Sequence, residues 1–349
     1  MSNILVTGGA GFIGSHTSII LLEEGHNLII LDNFINSSPL CLEKIKELFI
    51  KKDCNICERI HIRKVDLKFQ KDCYSVFEEF YKKGFKIDSV IHFAGLKDVN
   101  ESIYNSIKYW ENNVLGTINL LKAMDSFDCR SIVFSSSATI YDGNFKGKYK
   151  EDSPIAPSNP YGLTKLSIEK ILRDLYLGSF QSWKIVNLRY FNPAGAHFTG
   201  KIGENPLNKP SNLFPAITQA AIGKINLKVY GDDWHTLDGS PIRDFIHVMD
   251  LADAHVLALN YLKNKNKDFV SVNLGSGKGT SVFNFIETFE KTNNCKIPFT
   301  VTKRRKGDFA KLVADISFAK KILNWTPKRT LADICRDGWK WQKLNPKGY

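Results

Sequence analysis

Thr7-Gly-Gly-Ala-Gly-Phe-Ile-Gly14 is the stretch that decides how this chain folds. A short apolar run at 3–6 leads into it, a helix-period segment at 15–24 leads out of it, and Gly25 closes that helix. A second buried run, 27–31, ends on Asp32. Strand, glycine turn, helix and second strand with a terminal acid make one βαβ unit. In Gly8-x-x-Gly11-x-x-Gly14 the glycines permit a tight turn and a close backbone approach to a pyrophosphate, which sits at the positive end of the following helix. Asp32 is then placed to accept hydrogen bonds from an adenosine ribose and to repel a 2′-phosphate, which favours NAD over NADP.

Further apolar runs at 60–65, 89–93, 131–135 and 184–188 follow helix-period segments such as 69–82, 109–124 and 168–177. This alternation predicts an α/β fold, a Rossmann-type doubly wound parallel sheet of about six strands. Past Arg189 the rhythm breaks: 193–215 is rich in Gly, Asn and Pro, and is too long for an ordinary connection. We therefore expect an NAD-binding domain over 1–190, with a return segment near 236–262, and a smaller C-terminal α/β substrate domain over 191–349. Residues 141–159, rich in Gly and Lys, read as a lid.

With 349 residues the chain is long enough for two cores. Its net charge of +12 could serve nucleic acid, an anionic membrane or an anionic small molecule. The lysines are scattered, and the one dense run, Lys303-Arg-Arg-Lys306, lacks interleaved aromatics, so we expect no nucleic-acid or membrane partner. Seven irregularly spaced cysteines suit a reducing cytoplasm rather than a disulfide framework. Cys54-Asn-Ile-Cys57 has no second pair, and the histidines are dispersed, so no metal is expected.

Tyr161-Gly-Leu-Thr-Lys165 sets a phenol and an ammonium on one face of a helix. A neighbouring cation lowers a phenol from its usual pKa near 10, which would make Tyr161 a proton acceptor. Ser135-Ser-Ser-Ala-Thr139 follows the fifth strand at the sheet's carboxyl edge, where Ser137 and Thr139 can hydrogen-bond a sugar hydroxyl or form a plain turn. Asp66, ending the third strand, either reaches an adenine edge or caps the next helix.

TGGAGFIGSH at 7–16, HFAGLK at 92–97, SSSATIY at 135–141, YGLTK at 161–165, LRYFNPAGAH at 188–197 and RDFIHVMDLADAH at 243–255 together resemble the UDP-hexose 4-epimerases of the extended short-chain dehydrogenase/reductase family. The resemblance runs over nearly the whole chain. It implies a tightly held NAD contacted by Gly8, Gly11, Phe12, Ile13, Gly14, Asp32, Asn33, Asp66, Leu67, Phe93, Ala94, Gly95, Lys97, Asn113, Tyr161, Lys165 and Phe191. It implies reversible oxidation at the sugar C4, with Tyr161 as base, Lys165 as its cation and Ser137 orienting the hydroxyl. The UDP-hexose is implied to meet Lys97, Ser137, Ala138, Thr139, Tyr161, Asn192, Asn212, Leu213, Lys228, Val229, Tyr230, Arg243, Arg305, Asp308 and Leu312. Arg243 and Arg305 match diphosphate-binding arginines, Asp308 a ribose contact. A homodimer is expected on the same ground.

Two positions depart from the pattern. Asp142 stands where the family has Gly, which puts the start of the lid in question. Leu312 stands where strict UDP-glucose epimerases carry a bulky Tyr; if it lines the sugar pocket, there is room for a 2-acetamido group, hence for UDP-GlcNAc and UDP-GalNAc. A dehydratase is the nearest rival, but its chemistry needs carboxylates beside the Ser/Thr, where this chain has Ser137-Ala138-Thr139. A non-catalytic NAD-binding regulator on the same fold would be marked by a broken Tyr/Lys pair; this pair is intact.

Overall fold

Strand β1 (Asn3–Thr7) lies at the middle of a sheet, flanked in parallel by β2 (Asn27–Asp32) and β4 (Ser89–His92). β3 (Ile60–Lys64) pairs outside β2, and β5 (Ser131–Ser137) outside β4, both in parallel. β6 (Lys184–Tyr190) and the strand Asp268–Leu274 complete a seven-stranded order of 268–274, β6, β5, β4, β1, β2, β3. The computed structural model describes residues 1–50, 55–178, 182–206, 210, 212–305 and 307–349; Cys54, Lys306 and part of the 193–215 loop lie outside the described residues.

Apolar runs without alternation make strands buried on both faces. Leu5, Ile29, Val90 and Ile132 stand in register in one row across the sheet and join a core with Phe77 and Phe80 of the helix Gln70–Lys82, Leu120 and Met124 of the helix Gly116–Ser126, and Ile168 and Leu172 of the helix Pro160–Gly178. Their neighbours in the next row, Val6, Ile30, Ile91 and Val133, are equally buried, so the opposite face is covered too. The sheet has seven strands rather than about six because Asp268–Leu274, within the range expected for the second domain, joins it at the β6 edge. The strand order reverses between β1 and β4, the switch point where open α/β sheets bind ligands at their carboxyl ends.

The chain separates into two compact units. Met1–Ile140, Pro157–Arg189 and Ala252–Val272 form the first; Tyr141–Ala156, Tyr190–Leu251 and Asn273–Tyr349 form the second. Among the described residues the second carries three small sheets. Asn192–Ala194 pairs in parallel with Phe245–His247, Leu227–Tyr230 with Phe299–Thr302, and Ile242–Arg243 lies between Thr280–Ser281 and Lys311–Leu312. Its core gathers Phe214, Ile217, Phe245, Phe285 and Phe289.

The segment read as a lid is stitched into this second unit. Tyr149 bridges to Ala314, Tyr141 donates to Asn273 Oδ1 at 2.7 Å, and the Asn273 side-chain amide donates to the Tyr149 carbonyl at 2.9 Å. Those bonds hold its buried aromatics in place, so it is part of a packed layer rather than a free flap. Asp142 is not among the positive-φ positions, and its carboxylate accepts from the Asn144 amide at 3.0 Å; the backbone there needs no glycine.

Candidate active site

The turn after β1 is built by its glycines. Gly8 sits at φ +65, and a Cβ there would stand 2.7 Å from the Ala94 nitrogen. A Cβ on Gly14 would stand 2.3 Å from the Gly8 carbonyl oxygen. Helix α1 (Phe12–Glu23) starts at Gly11 with no side-chain cap and no acid in its first turn, so the chain does not neutralise the positive end of its dipole. Asp32, almost fully buried, accepts from the Ala10 amide at 3.0 Å, the Phe34 amide at 2.9 Å and the Ser37 hydroxyl at 2.8 Å, tying the turn to the end of β2. Asn33 turns the next residues by accepting from the Ile35 amide. A glycine cradle, an uncapped helix start and a carboxylate beside them fit the pyrophosphate and ribose of a dinucleotide.

Asp66 accepts from the Lys68 amide at 3.0 Å and closes a turn; the helix that follows is capped at Phe69, so the N-cap alternative is not what the chain uses. The Leu67 carbonyl is held by the Asn119 amide at 3.0 Å. After β4, Phe93 packs on His255, with ring centroids 4.7 Å apart, and Ala94, Gly95 and Lys97 continue the loop. Asn113, on the π-helix Trp110–Leu115, accepts from the Leu96 amide at 2.8 Å and donates to the Leu96 carbonyl at 3.1 Å and to Thr164 Oγ1 at 3.1 Å. Single π-helical turns mark functional positions, and this one aims a buried amide at the loop.

Tyr161 starts the helix Pro160–Gly178 and lies against Ser137 at the end of β5. Ser137 Oγ accepts from the Thr139 amide at 3.2 Å and the Thr139 hydroxyl at 3.0 Å, so its own proton is free to go to the Tyr161 oxygen. Ala138 begins the 3₁₀ turn Ala138–Ile140 between them. Lys165, buried, donates to the Ser135 carbonyl at 2.7 Å, with its Nζ 5.9 Å from the Tyr161 ring centroid and 4.9 Å from that of Phe134. Burial pulls the Lys165 pKa down to about 7, against the Glu169 charge that raises it. Burial raises the Tyr161 phenol, and the Ser137 hydrogen bond opposes this. The expectation that Lys165 lowers the phenol is therefore not met in the chain by itself: Lys165 is buried and Tyr161 part-buried, burial disfavours the charged form of each, and the ammonium is bonded to a carbonyl.

Behind the pair lies a network that the sequence reading missed. Glu169 accepts from Ser136 Oγ at 2.5 Å and from both arms of Arg189, at 3.0 and 2.7 Å. All three are buried. Glu169 follows Lys165 by one helical turn, the spacing that could have signalled it.

The remaining expected residues fall in the second unit. Phe191 donates its amide to the Leu274 carbonyl at 3.1 Å and packs near Tyr149, and Asn192 leaves its buried Oδ1 without a partner. Arg243 pairs with Asp308 and donates to the Phe309 carbonyl at 2.9 Å. The Arg305 guanidinium stacks 4.2 Å over Tyr230, and Leu312 stands beside Arg243 across the ladder. Lys228 is exposed, whereas Val229 is buried in the unit's core. Asn212 is the residue before the helix Leu213–Ala221 but makes no side-chain cap there.

A family model for the NAD dependent epimerase/dehydratase family matches residues 4–275. The chain belongs to that family. It is similar to UDP-glucose 4-epimerase 2 of Arabidopsis thaliana, 45% identical over 99% of this chain and 97% of the relative. It is likewise 45% identical to UDP-glucose 4-epimerase of Bacillus subtilis, over 99% of this chain and 98% of the relative. Among solved structures, UDP-glucose 4-epimerase from Bifidobacterium longum in complex with NAD+ and UDP superposes with a TM-score of 0.92 at 41% identity, each chain covered completely. A UDP-Glc/GlcNAc 4-epimerase from Campylobacter jejuni matches with a TM-score of 0.81 at 34% identity, covering 99% of this chain and all of that one. The fold is thus the Rossmann-type parallel sheet with a smaller C-terminal α/β part that the sequence leads one to expect.

Proposed function

We propose that this chain is an NAD-dependent 4-epimerase of UDP-hexoses, interconverting UDP-glucose and UDP-galactose through a 4-keto sugar. The observation that carries the reading is the buried Lys165 one helical turn after Tyr161, its Nζ 5.9 Å from the Tyr161 ring centroid, in the unit whose glycine turn is fitted to a dinucleotide. When bound, NAD supplies the acceptor and then the donor of the C4 hydride. Tyr161, as the phenolate, takes the proton from the 4-hydroxyl oxygen and gives it back to that oxygen once the turned ketose has accepted the hydride at its other face; Ser137 and the positive charge of Lys165 stabilise the phenolate before it takes the proton. A cationic nicotinamide next to Tyr161 would add to that charge and lower the phenol into a usable range. Ala138 leaves no carboxylate beside Ser137 for elimination, which weighs against a dehydratase.

On this reading the nucleotide half of the substrate is held by Asn192, Asn212, Leu213, Lys228, Tyr230, Arg243, Arg305 and Asp308, with Val229 contributing backbone alone. The partnerless Asn192 Oδ1 and the cationic faces of Arg243 and Arg305 support it. Leu312 in place of a bulky ring favours acceptance of UDP-GlcNAc and UDP-GalNAc as well. Ile103, Tyr104 and Ile107, 55%, 85% and 74% exposed on consecutive short helices, are apolar residues of the kind a homodimer would cover. Among the described residues no helix is long and apolar enough to cross a membrane, and a reducing cytoplasm suits the six free thiols there.

The test is to assay the purified chain for conversion of UDP-galactose to UDP-glucose with no added cofactor, and to look for NAD released on denaturation. Turnover without added nicotinamide is expected. A requirement for stoichiometric external cofactor would make it an ordinary dehydrogenase.

A further inference from the structure

A line of buried hydrogen bonds runs from the glycine turn to the helix that carries Tyr161, through residues of which only Asn113 has been given a part, as a cofactor contact. Thr7 Oγ1 and His92 Nδ1 are 2.6 Å apart; His92 Nε2 and Thr117 Oγ1 are 2.9 Å apart. Thr117 donates to the Asn113 carbonyl at 2.5 Å, the Asn113 amide reaches Thr164 Oγ1 at 3.1 Å, and Thr164 donates to the Tyr161 carbonyl at 2.7 Å. Thr7, His92, Asn113, Thr117 and Thr164 are at most 1% exposed.

The donors fix the direction of the line. Thr117 gives its one proton to the Asn113 carbonyl, so it must accept from His92 Nε2–H. With its proton on Nε2, the neutral ring accepts at Nδ1 from Thr7, whose oxygen in turn accepts from the Ala94 amide at 3.2 Å. A protonated imidazole would add an N–H at Nδ1 that faces the Thr7 hydroxyl proton and break the order. The surroundings keep the ring neutral: burial, with the Lys165 charge next in weight, holds its pKa at about 3, and Phe134 closes the remaining side at 5.7 Å between centroids.

The line clamps the loop after β4 from both ends, at Ala94 through Thr7 and at Leu96 through Asn113. Between them, the position a Cβ of Gly95 would take is 3.8 Å from Lys165 Nζ. We propose that His92, as the neutral Nε2–H tautomer, is a positioning residue that sets the 94–96 loop and the Tyr161 helix in one register for the proton transfer. This rests on the reading of Tyr161 as the base. His92 touches neither substrate nor reacting atom.

Nitrogen-15 spectra of the histidine-labelled holoenzyme should show one imidazole protonated at Nε2 that does not titrate between pH 5 and 9. The His92→Gln variant, which cannot span from Thr7 to Thr117, should lose about tenfold to a hundredfold in kcat while KM for UDP-galactose and the bound NAD content stay unchanged. If that variant does not fold, Thr117→Val, which removes both the acceptor of the Nε2 proton and the donor to the Asn113 carbonyl, should give the same split. A titrating or Nδ1-protonated ring at this position, or unchanged kcat in a folded variant, overturns the inference. Absence of epimerisation in the unsubstituted protein would instead overturn the function proposed above.

Discussion

Lys165 donates to the Ser135 carbonyl, two residues before the Ser137 that meets Tyr161, so one ammonium braces the strand end from which the base is addressed. Its burial has a measurable cost. Held at about 7 when folded, against an ordinary 10.5, it leaves the unfolded chain binding the extra proton between those values, so stability from this site rises with pH across that window. Below about pH 7 the cost is constant. In the NAD-free protein, Lys165→Met should raise the urea midpoint at pH 6, with the gain shrinking toward pH 10; a gain independent of pH would contradict the assignment.

Tyr161→Phe keeps the ring and removes the proton acceptor. Turnover should fall by about 10²–10⁴-fold with NAD still co-purifying. Loss of NAD at unchanged kcat per bound cofactor would identify Tyr161 as a cofactor-binding residue instead.

Glu169→Gln takes the carboxylate from a buried Arg189 and Ser136, a change expected to destabilise the fold by about 3–5 kcal/mol. Chemical denaturation measures it. A pair of apolar replacements, Glu169→Met with Arg189→Met, should recover most of the stability, because neither member of the pair is then left buried without its partner.

Gly14→Ala puts a methyl group 2.3 Å from the Gly8 carbonyl, against backbone that can move only by opening the turn. The purified variant should carry little NAD, read by absorbance after denaturation. Full occupancy would mean that the turn has slack the geometry does not suggest.

Leu312→Tyr fills the position proposed to admit an acetamido group. Turnover of UDP-GlcNAc should drop by at least about tenfold while that of UDP-galactose is held, measured side by side. An equal loss on both substrates would remove Leu312 as the discriminating residue.

Much of this was legible from spacing. The glycine turn, Asp32, and the Tyr161–Lys165 pair follow from periodicity and side-chain chemistry, and the strands β1 to β6 fall where the apolar runs lie. What escaped were relations across distance. Ser136, Arg189 and His92 each look like ordinary strand residues, because nothing local says which side chain a buried polar group will meet. The Lys-rich segment at 141–159 was read as a lid from its composition, yet Tyr141 and Tyr149 bind it to Asn273, far along the chain. The phenol's pKa escaped for a related reason: Tyr161 and Lys165 are near enough to interact, but how much water surrounds them is a property of the packed fold.

The strand Asp268–Leu274 is also the last to reach its sheet, since β6, its neighbour, leaves the ribosome with 191–267 still to be made. Until then β6 presents an open edge of unpaired amides and carbonyls, a template for pairing with another chain. Nascent-chain fragments that stop short of residue 268 should therefore be the aggregation-prone species during synthesis, and chaperone capture should be sought in that interval of elongation.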